Sequence, residues 1–164
     1  NIPAAEFYRP EFAQSVLHLL HEVDLEPSRL TLELTEESLI QNIDQTILTM
    51  AELSSQGIKL ALDDFGTGYS SLNHLNRLPV DTLKIDKSIV DPLPGHKKGL
   101  EIVSGFIRIA HAMELTVVAE GVEHEAQRQL LLKLDCDMIQ GYLLGRPVTA
   151  DKVHELLTNT ITIT

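Results

Sequence analysis

The sequence has a single cysteine among its 164 residues. Cys136 therefore has no partner for an internal disulfide, and no Cys-x-x-Cys spacing indicates a zinc or redox motif. Such sparing use of cysteine is typical of a reducing compartment. We expect a cytoplasmic protein, or the cytoplasmic part of a membrane-anchored one.

Long apolar runs and basic residues are also scarce. No run approaches the roughly 20 apolar residues of a transmembrane helix, so we expect no direct membrane contact from this segment. Lysine and arginine number 13 against 24 acidic residues, a formal net charge of −11. This balance opposes sequence-blind binding to a nucleic acid polymer or an anionic lipid surface. An anionic ligand would need local cations.

Short apolar segments alternate with helical patterns along the whole chain. Strands are predicted at 29–34, 58–63, 80–85, 115–120 and roughly 137–144. Helices are predicted at 11–23, 35–55, 97–113, 123–133 and 150–157, with Thr35 as an N-cap and Gly57 just past a helix end. This alternation predicts a parallel α/β sheet with crossover helices, either open or closed into a (β/α)8 TIM-type barrel.

Polar residues at the strand ends favour the barrel. Each predicted strand carries one or two of them at or near its C-terminal end: Glu33, Asp63 with Asp64, Lys84, Glu120 and Gln140. Barrel enzymes draw catalytic residues from the ends of several strands, whereas an open sheet concentrates them at one switch point. Five βα units fall short of eight, so residues 1–164 are interpreted as the C-terminal part of a single barrel domain, with about 90 residues preceding Asn1.

Three other motif readings fit poorly. Gly66-Thr67-Gly68 follows a strand as in a dinucleotide fingerprint, but Ser71 stands where that motif has its third glycine or an alanine. The negative charges of Asp63 and Asp64 would also face the pyrophosphate. Asp64-Phe65-Gly66 matches a kinase triplet without the other kinase motifs. No histidine is followed four residues later by another in a zinc-protease pattern.

The adjacent acids Asp63 and Asp64 end an apolar strand, where like charges repel and burial disfavours ionisation. Positive charge is therefore expected beside them. A rim rich in carboxylates and poor in histidine is the ligand set of Mg²⁺ or Mn²⁺. Acids from several strand ends could hold two such ions and clamp a water and a phosphate oxygen.

These residues lie in segments that resemble, in order and across the whole chain, the motifs of EAL-domain cyclic di-GMP phosphodiesterases. The matching segments are Glu33-Leu34-Thr35-Glu36, Asp63-Asp64-Phe65-Gly66-Thr67-Gly68-Tyr69-Ser70-Ser71, Lys84-Ile85-Asp86, Ala119-Glu120-Gly121-Val122-Glu123, Gln140-Gly141-Tyr142 and Gly145-Arg146-Pro147. The Glu-Ala-Leu tripeptide that names the family is absent, as expected if it lies upstream of Asn1.

The resemblance implies opening of cyclic di-GMP to linear pGpG with two Mg²⁺ or Mn²⁺ ions. It further implies metal ligands at Asn1, Glu33, Asp63 and Asp64, and a catalytic role for Lys84 and Glu120 on either side of the attacking water. Substrate or loop support falls to Glu36, Gly66, Thr67, Gly68, Gln140 and Glu123. The resemblance also implies a homodimer fused to sensory or GGDEF-type domains. Pro3 departs from the serine that is commoner in the family.

Structural interpretations of the same residues stay open. Lys84 could be the base that holds Glu33 or Glu120 in a structural pair, Asp86 could cap a short helix, and Glu123 could be a first-turn acid. The alternative function is a catalytically inactive EAL-type receptor or regulatory module. The chain alone, with five strands, is expected to be inactive and prone to association.

Overall fold

The computed structural model of the chain describes residues 1–35, 42–67 and 75–159. Its strands are β1 (Thr31–Thr35), β2 (Lys59–Phe65), β3 (Thr82–Ile85), β4 (Thr116–Ala119) and β5 (Met138–Ile139). Its helices are α1 (Ala4–Phe7), α2 (Phe12–Glu22), α3 (Ile43–Ser55), α4 (Lys87–Val90), α5 (Lys97–Ala112), α6 (Glu125–Lys133) and α7 (Ala150–Asn159), with a 3-10 turn at Pro27–Arg29.

The five strands form one parallel sheet in the order β1-β2-β3-β4-β5. Each strand therefore pairs with its neighbour in sequence, as in successive βα units of a barrel. The register between β1 and β2 places Thr35 opposite Asp63. All C-terminal strand ends consequently lie along one edge, which confirms the predicted α/β class and collects the polar strand ends on one side.

Both faces of the central strands are buried. Leu60, Ala61 and Leu62 in β2 are each at most 1% exposed. The helix α5 supplies a complementary apolar face, because Val103 and Ile107 are buried one turn apart. A parallel sheet covered on both faces explains why the strands read as continuous apolar runs in the sequence.

Two sequence predictions need correction. A single helix over 35–55 is wrong, because the backbone at Asn42 is not helical (φ −153°, ψ 74°) and its side chain caps α3 by accepting from Gln45 N. The predicted helix start after Thr35, which is the last residue of β1, lies outside the described residues. The strand over 137–144 is too long, because the chain turns after Ile139 and Gly141 packs against the backbone of Val122.

The N-terminal residues lie beside β1, on the edge opposite β2. The backbone N–H of Ile2 donates to the carbonyl oxygen of Glu33 at 2.9 Å. This hydrogen bond holds Asn1 next to the strand ends. Within the described ranges, no helix combines the length and apolar character that crossing a membrane requires.

Candidate active site and metal centre

Lys84 lies at the centre of the polar strand ends. Its Nζ contacts Glu33 Oε1 at 2.9 Å, Asp63 Oδ1 at 3.1 Å and Glu120 Oε1 at 2.8 Å. The three carboxylates come from β1, β2 and the residue after β4, whereas Lys84 itself is on β3. One ammonium group therefore ties together four adjacent strands, and the structural pair that the sequence left open is present.

The ammonium of Lys84 is buried, and burial alone would lower its pKa. The hydrogen bonds to Glu120, Glu33 and Asp63 oppose that effect and leave the pKa of Lys84 well above its ordinary value. Lys84 therefore carries its charge at neutral pH. The positive charge expected beside the acidic pair is supplied by the chain itself.

A β-bulge explains how two consecutive aspartates reach one site. Successive residues of a regular strand point to opposite faces of the sheet. The pairing of β2 with β3 is irregular between Leu62 and Phe65, and Asp64 has a left-handed backbone with φ +56°. A bulge re-aims one side chain, so the carboxylate of Asp64 joins that of Asp63.

The carboxylates of Asp63, Asp64 and Glu120 offer oxygen atoms that all lie within 4.8 Å of one another. Burial, the charge of Asp63 and the charge of Asp86 raise the pKa of Asp64, and Lys84 only partly opposes them. Burial also raises the pKa of Glu120 against the hydrogen bond from Lys84. Both carboxyl groups are therefore harder to ionise than an exposed carboxyl group, and a bound cation would favour their ionised forms.

Asn1 completes the cluster on the side of β1. With its amide nitrogen facing the acids, Asn1 lies 3.1 Å from Glu33 Oε2 and 2.8 Å from Asp63 Oδ2. Rotation of the amide by half a turn would present its oxygen to a cation instead. Carboxylate and amide oxygens are hard ligands, so the donor set fits Mg²⁺ or Mn²⁺.

The loop after β2 begins with Gly66, whose backbone has φ +98°. A Cβ atom there would lie 2.9 Å from the ring of Phe106, so both conformation and packing require glycine. Thr67 Oγ1 donates to the carbonyl oxygen of Asp64 at 2.9 Å. These two residues support the strained backbone of the acidic pair.

A cleft of about 250 Å³ opens beside Glu120. It is lined by Lys87, Glu120, Gly121, Glu123, Gln140, Gly141 and Tyr142. Gln140 follows β5, and its backbone N–H donates to the carbonyl oxygen of Ala119 at 2.9 Å. Glu123 accepts a hydrogen bond from Lys87 Nζ at 2.5 Å. The cleft thus connects the carboxylate cluster with polar groups that follow β3, β4 and β5.

The structure brings most of the predicted site residues together. The central cluster contains Asn1, Glu33, Asp63, Asp64, Lys84 and Glu120, and the cleft adds Gln140 and Glu123. Glu36 and Gly68 lie outside the described residues. Asp86 caps α4, because its Oδ1 accepts from Ser88 N at 2.9 Å.

Sequence reasoning assigned no role to Lys87, which pairs with Glu123, or to Arg146, whose guanidinium lies 4.5 Å from the ring centre of Tyr142. Lys87 resembles an ordinary surface cation in the sequence, and Arg146 belongs to a matching motif segment without a predicted function. The charge of Arg146 is also one of several influences that lower the pKa of Glu123, after the larger effect of Lys87.

The chain belongs to the EAL domain family, whose family model matches residues 1–147. Among curated relatives, it is 40% identical over 153 residues to the bifunctional diguanylate cyclase/cyclic di-GMP phosphodiesterase MucR of Pseudomonas aeruginosa. It is 41% identical over 157 residues to the cyclic di-GMP phosphodiesterase NbdA of the same species. These matches cover 93% and 96% of the chain but only 22% and 20% of the relatives, so the chain spans about a fifth of their length.

Solved structures agree with this assignment. The EAL domain of Mycobacterium smegmatis DcpA is 39% identical, with a TM-score of 0.93 over 99% of this chain and 73% of that one. MucR in complex with c-di-GMP is 40% identical, with a TM-score of 0.89 over 93% of this chain and 62% of that one. Klebsiella pneumoniae BlrP1 in a manganese and cyclic di-GMP complex is 32% identical, with a TM-score of 0.81 over 87% of this chain and 36% of that one. The fold is therefore that of part of an EAL barrel.

Proposed function

We propose that this chain carries the C-terminal part of the active site of a phosphodiesterase that opens cyclic di-GMP to linear pGpG. The observation that carries the proposal is the cluster of Asp63, Asp64 and Glu120 oxygens within 4.8 Å, joined by Lys84 at the C-terminal edge of the parallel sheet. Barrel enzymes place their chemistry at this edge. The names of the relatives NbdA and MucR support the substrate.

The charge of the cluster supports two divalent cations. Four carboxylates face one ammonium group, so three negative charges remain in excess when all are ionised: the acids are Glu33, Asp63, Asp64 and Glu120. Two ions of charge +2 would convert this excess into a single positive charge suited to an anionic phosphodiester. Asn1, Glu33 and Asp63 would hold one ion and Asp64 would hold the other, while Glu120, whose carboxylate oxygen lies within 4.8 Å of those of both aspartates, would border the metal site. Bound Mg²⁺ or Mn²⁺ supplies Lewis acidity and an acidified water.

The residues of the chain perform the proton chemistry. Glu120 accepts a proton from the attacking water, while Lys84 holds the Glu120 carboxylate at 2.8 Å and keeps it oriented. The water oxygen forms a bond to phosphorus, and the bond from phosphorus to the 3′ oxygen breaks. The leaving 3′ oxygen takes up a proton from solvent, so the product is linear pGpG with a 5′ phosphate and a 3′ hydroxyl. Gln140, at the edge of the cleft, orients the water or the phosphate by hydrogen bonding.

The proposal extends to the architecture of the whole protein. Residues 1–164 form the C-terminal part of one EAL barrel domain, in a longer signalling protein that acts as a homodimer in the cytoplasm. The small share of MucR and NbdA that the chain covers supports further domains, of sensory or GGDEF type. Glu36 and the glycine loop that includes Gly68 would couple the metal site to the dimer contact.

The test is hydrolysis by the full-length protein, followed as pGpG release by chromatography with Mg²⁺, with Mn²⁺ and with EDTA. We expect metal-dependent release that Asp63→Asn reduces by at least about 100-fold, because the variant loses one charge from the cation site. Hydrolysis by Asp63→Asn at the wild-type rate would contradict the metal model. Binding of cyclic di-GMP without hydrolysis would instead indicate the receptor function.

A further inference from the structure

Lys87 lies directly over the turn that follows Glu120. The turn is made by Gly121, which has a left-handed backbone with φ +67°. A Cβ atom on Gly121 would lie only 2.3 Å from Cγ of Lys87 and 2.6 Å from its Cβ. The aliphatic stem of Lys87 therefore packs on the backbone of Gly121 with no room for another side chain.

The ammonium group of Lys87 holds the other end of the same loop. Its Nζ donates to Glu123 Oε1 at 2.5 Å, and the backbone N–H of Glu123 in turn donates to Gln127 Oε1 at 2.9 Å. Lys87 thus contacts residues on both sides of Val122. Lys87 begins α4, only three residues after Lys84, so the rigid end of β3 supports it.

The opposite side of the loop is fixed by the segment after β5. Val122 N donates to the carbonyl oxygen of Gln140 at 3.0 Å, and Leu143 N donates to the carbonyl oxygen of Val122 at 3.0 Å. A Cβ atom on Gly141 would lie 2.2 Å from the carbonyl oxygen of Val122. The loop that begins with Glu120 is therefore clamped between Lys87 and the chain that follows β5.

We propose that Lys87 is a positioning residue, which fixes the loop 120–123 and thereby sets the place of the Glu120 carboxylate in the cation cluster. The expected effect on catalysis rests on the proposed function. The contacts by which Lys87 holds the loop 120–123, and their effect on cation binding, do not depend on it. Lys87 does not contact the carboxylates that surround Lys84; it acts through Gly121 and Glu123.

The pair of Lys87 and Glu123 can be distinguished from a purely structural ion pair, which would act on stability alone. The side chains of Lys87 and Glu123 are 47% and 35% exposed, and such pairs contribute little to stability. Loss of the pair should therefore leave the unfolding temperature almost unchanged. Its effect should appear where a small displacement of Glu120 matters, in cation affinity and in turnover, because groups that orient ligands commonly affect them 10- to 100-fold.

The experiment compares Lys87→Met, which keeps most of the stem, with Lys87→Arg and Glu123→Gln in the full-length protein. We expect Lys87→Met and Glu123→Gln each to weaken Mn²⁺ binding, measured by calorimetry, about tenfold and to lower kcat about tenfold with KM changed less than twofold. The double variant should be no worse than either single one. Lys87→Arg should restore both quantities to within twofold of wild type.

Lys152→Met is the matched control, because Lys152 pairs with Glu155 at 2.5 Å on α7. It should change neither Mn²⁺ affinity nor kcat. A wild-type Mn²⁺ affinity and kcat in Lys87→Met would overturn the positioning role, and a raised KM with unchanged kcat would replace it with a role in substrate binding.

The Mn²⁺ measurement separates this proposal from the proposed function. A wild-type protein that binds Mn²⁺ without hydrolysing cyclic di-GMP refutes the phosphodiesterase, while the Mn²⁺ affinity of Lys87→Met still decides the positioning role. A wild-type protein that binds no Mn²⁺ refutes the cation cluster and the positioning role together.

Discussion

Replacing Lys84 with methionine removes the positive charge from the centre of the site while keeping most of its volume. Three carboxylates then face one another without the ammonium: those of Glu33, Asp63 and Glu120. We expect a large loss of stability in the metal-free protein, because removing one partner of a buried ion pair leaves the others buried and unpaired.

The magnitude follows from the burial of the partners. Truncating one member of a buried pair typically costs about 3–5 kcal/mol. The side chain of Asp63 is 8% exposed, but those of Glu120 and Glu33 are 17% and 29% exposed and can regain some water. We therefore expect the lower end, about 3 kcal/mol. With a urea m-value of about 2 kcal/mol/M, the unfolding midpoint of the domain should fall by about 1.5 M.

Lys59→Met is the matched control for this substitution. Lys59 lies on the neighbouring strand β2 and contacts Asp81 at 2.7 Å, but its side chain is 53% exposed. An exposed pair of that kind contributes about 0–1 kcal/mol. Added Mn²⁺ should recover at least about half of the Lys84→Met loss, because the cations neutralise the same carboxylates. It should not alter the effect of Lys59→Met.

Urea-induced unfolding followed by circular dichroism, with EDTA and with saturating Mn²⁺, measures the six midpoints of the wild type and the two variants. Equal losses in the two lysine variants would refute the claim that Lys84 is the buried charge on which the cluster depends. A Lys84→Met loss that Mn²⁺ leaves unchanged would refute the claim that its partners are the cation ligands. The raised pKa of Lys84 also predicts the pH dependence of this loss. The ammonium stabilises the folded protein fully below the pKa of an unfolded lysine, and this stabilisation declines only as pH rises through the higher pKa of the folded state. The midpoint difference between wild type and Lys84→Met should therefore persist from pH 7 to about pH 10.

Three further predictions concern the charge of Asp64, the packing of Gly141 and the ion pair of Asp137. Asp64→Asn should raise the unfolding temperature of the metal-free protein, because the raised pKa of Asp64 means that its ionised form destabilises the fold at neutral pH. The same variant should lower hydrolysis by at least about 100-fold. A lower unfolding temperature would contradict the first of these expectations. Gly141→Ala should destabilise the domain by about 1–3 kcal/mol in urea unfolding, because its Cβ would clash with backbone, whereas the control Gly145→Ala has nothing within 4 Å and should be neutral. Burial opposes but does not cancel the hydrogen bonds that lower the pKa of Asp137, one of which is with His111. Asp137→Asn should therefore reduce the free energy of unfolding at pH 7, and its difference from wild type should shrink as pH falls below about 4 through the lowered pKa of the folded state. A difference that grows below about pH 4 would refute this role of the ionised carboxylate.

The sequence predicted the fold class and four of the five strands to within about two residues, because a parallel strand buried on both faces is a short apolar run. It failed where tertiary contacts decide the backbone. The interruption at Asn42 and the early end of β5 each depend on a cap or a close packing contact that apolar periodicity does not encode. Apolar periodicity therefore predicts which segments form strands and helices, whereas tertiary packing determines where they end.

The candidate site was predictable to the extent that position along a strand determines position in space. Glu33, Asp63, Lys84 and Glu120 follow directly from the rule that parallel strands end at the same edge. The sharing of one ammonium by three carboxylates was not predictable, because it depends on register and rotamers. Lys87 was missed for a similar reason, since its role follows from the glycine that its stem covers.

The adjacent aspartates show how backbone geometry gives two like residues opposite electrostatic situations. Asp63 continues the regular strand and lies within 3.1 Å of the Lys84 ammonium. Asp64 turns out of the strand with φ +56°, and there burial and the charges of Asp63 and Asp86 outweigh the attraction of Lys84. The chain's own cation thus contacts the first aspartate directly but not the second, which leaves Asp64 in need of another positive charge. That imbalance, which the bulge creates, is the physical reason to place a second cation at Asp64, because a positive charge beside the carboxylate would favour its ionised form.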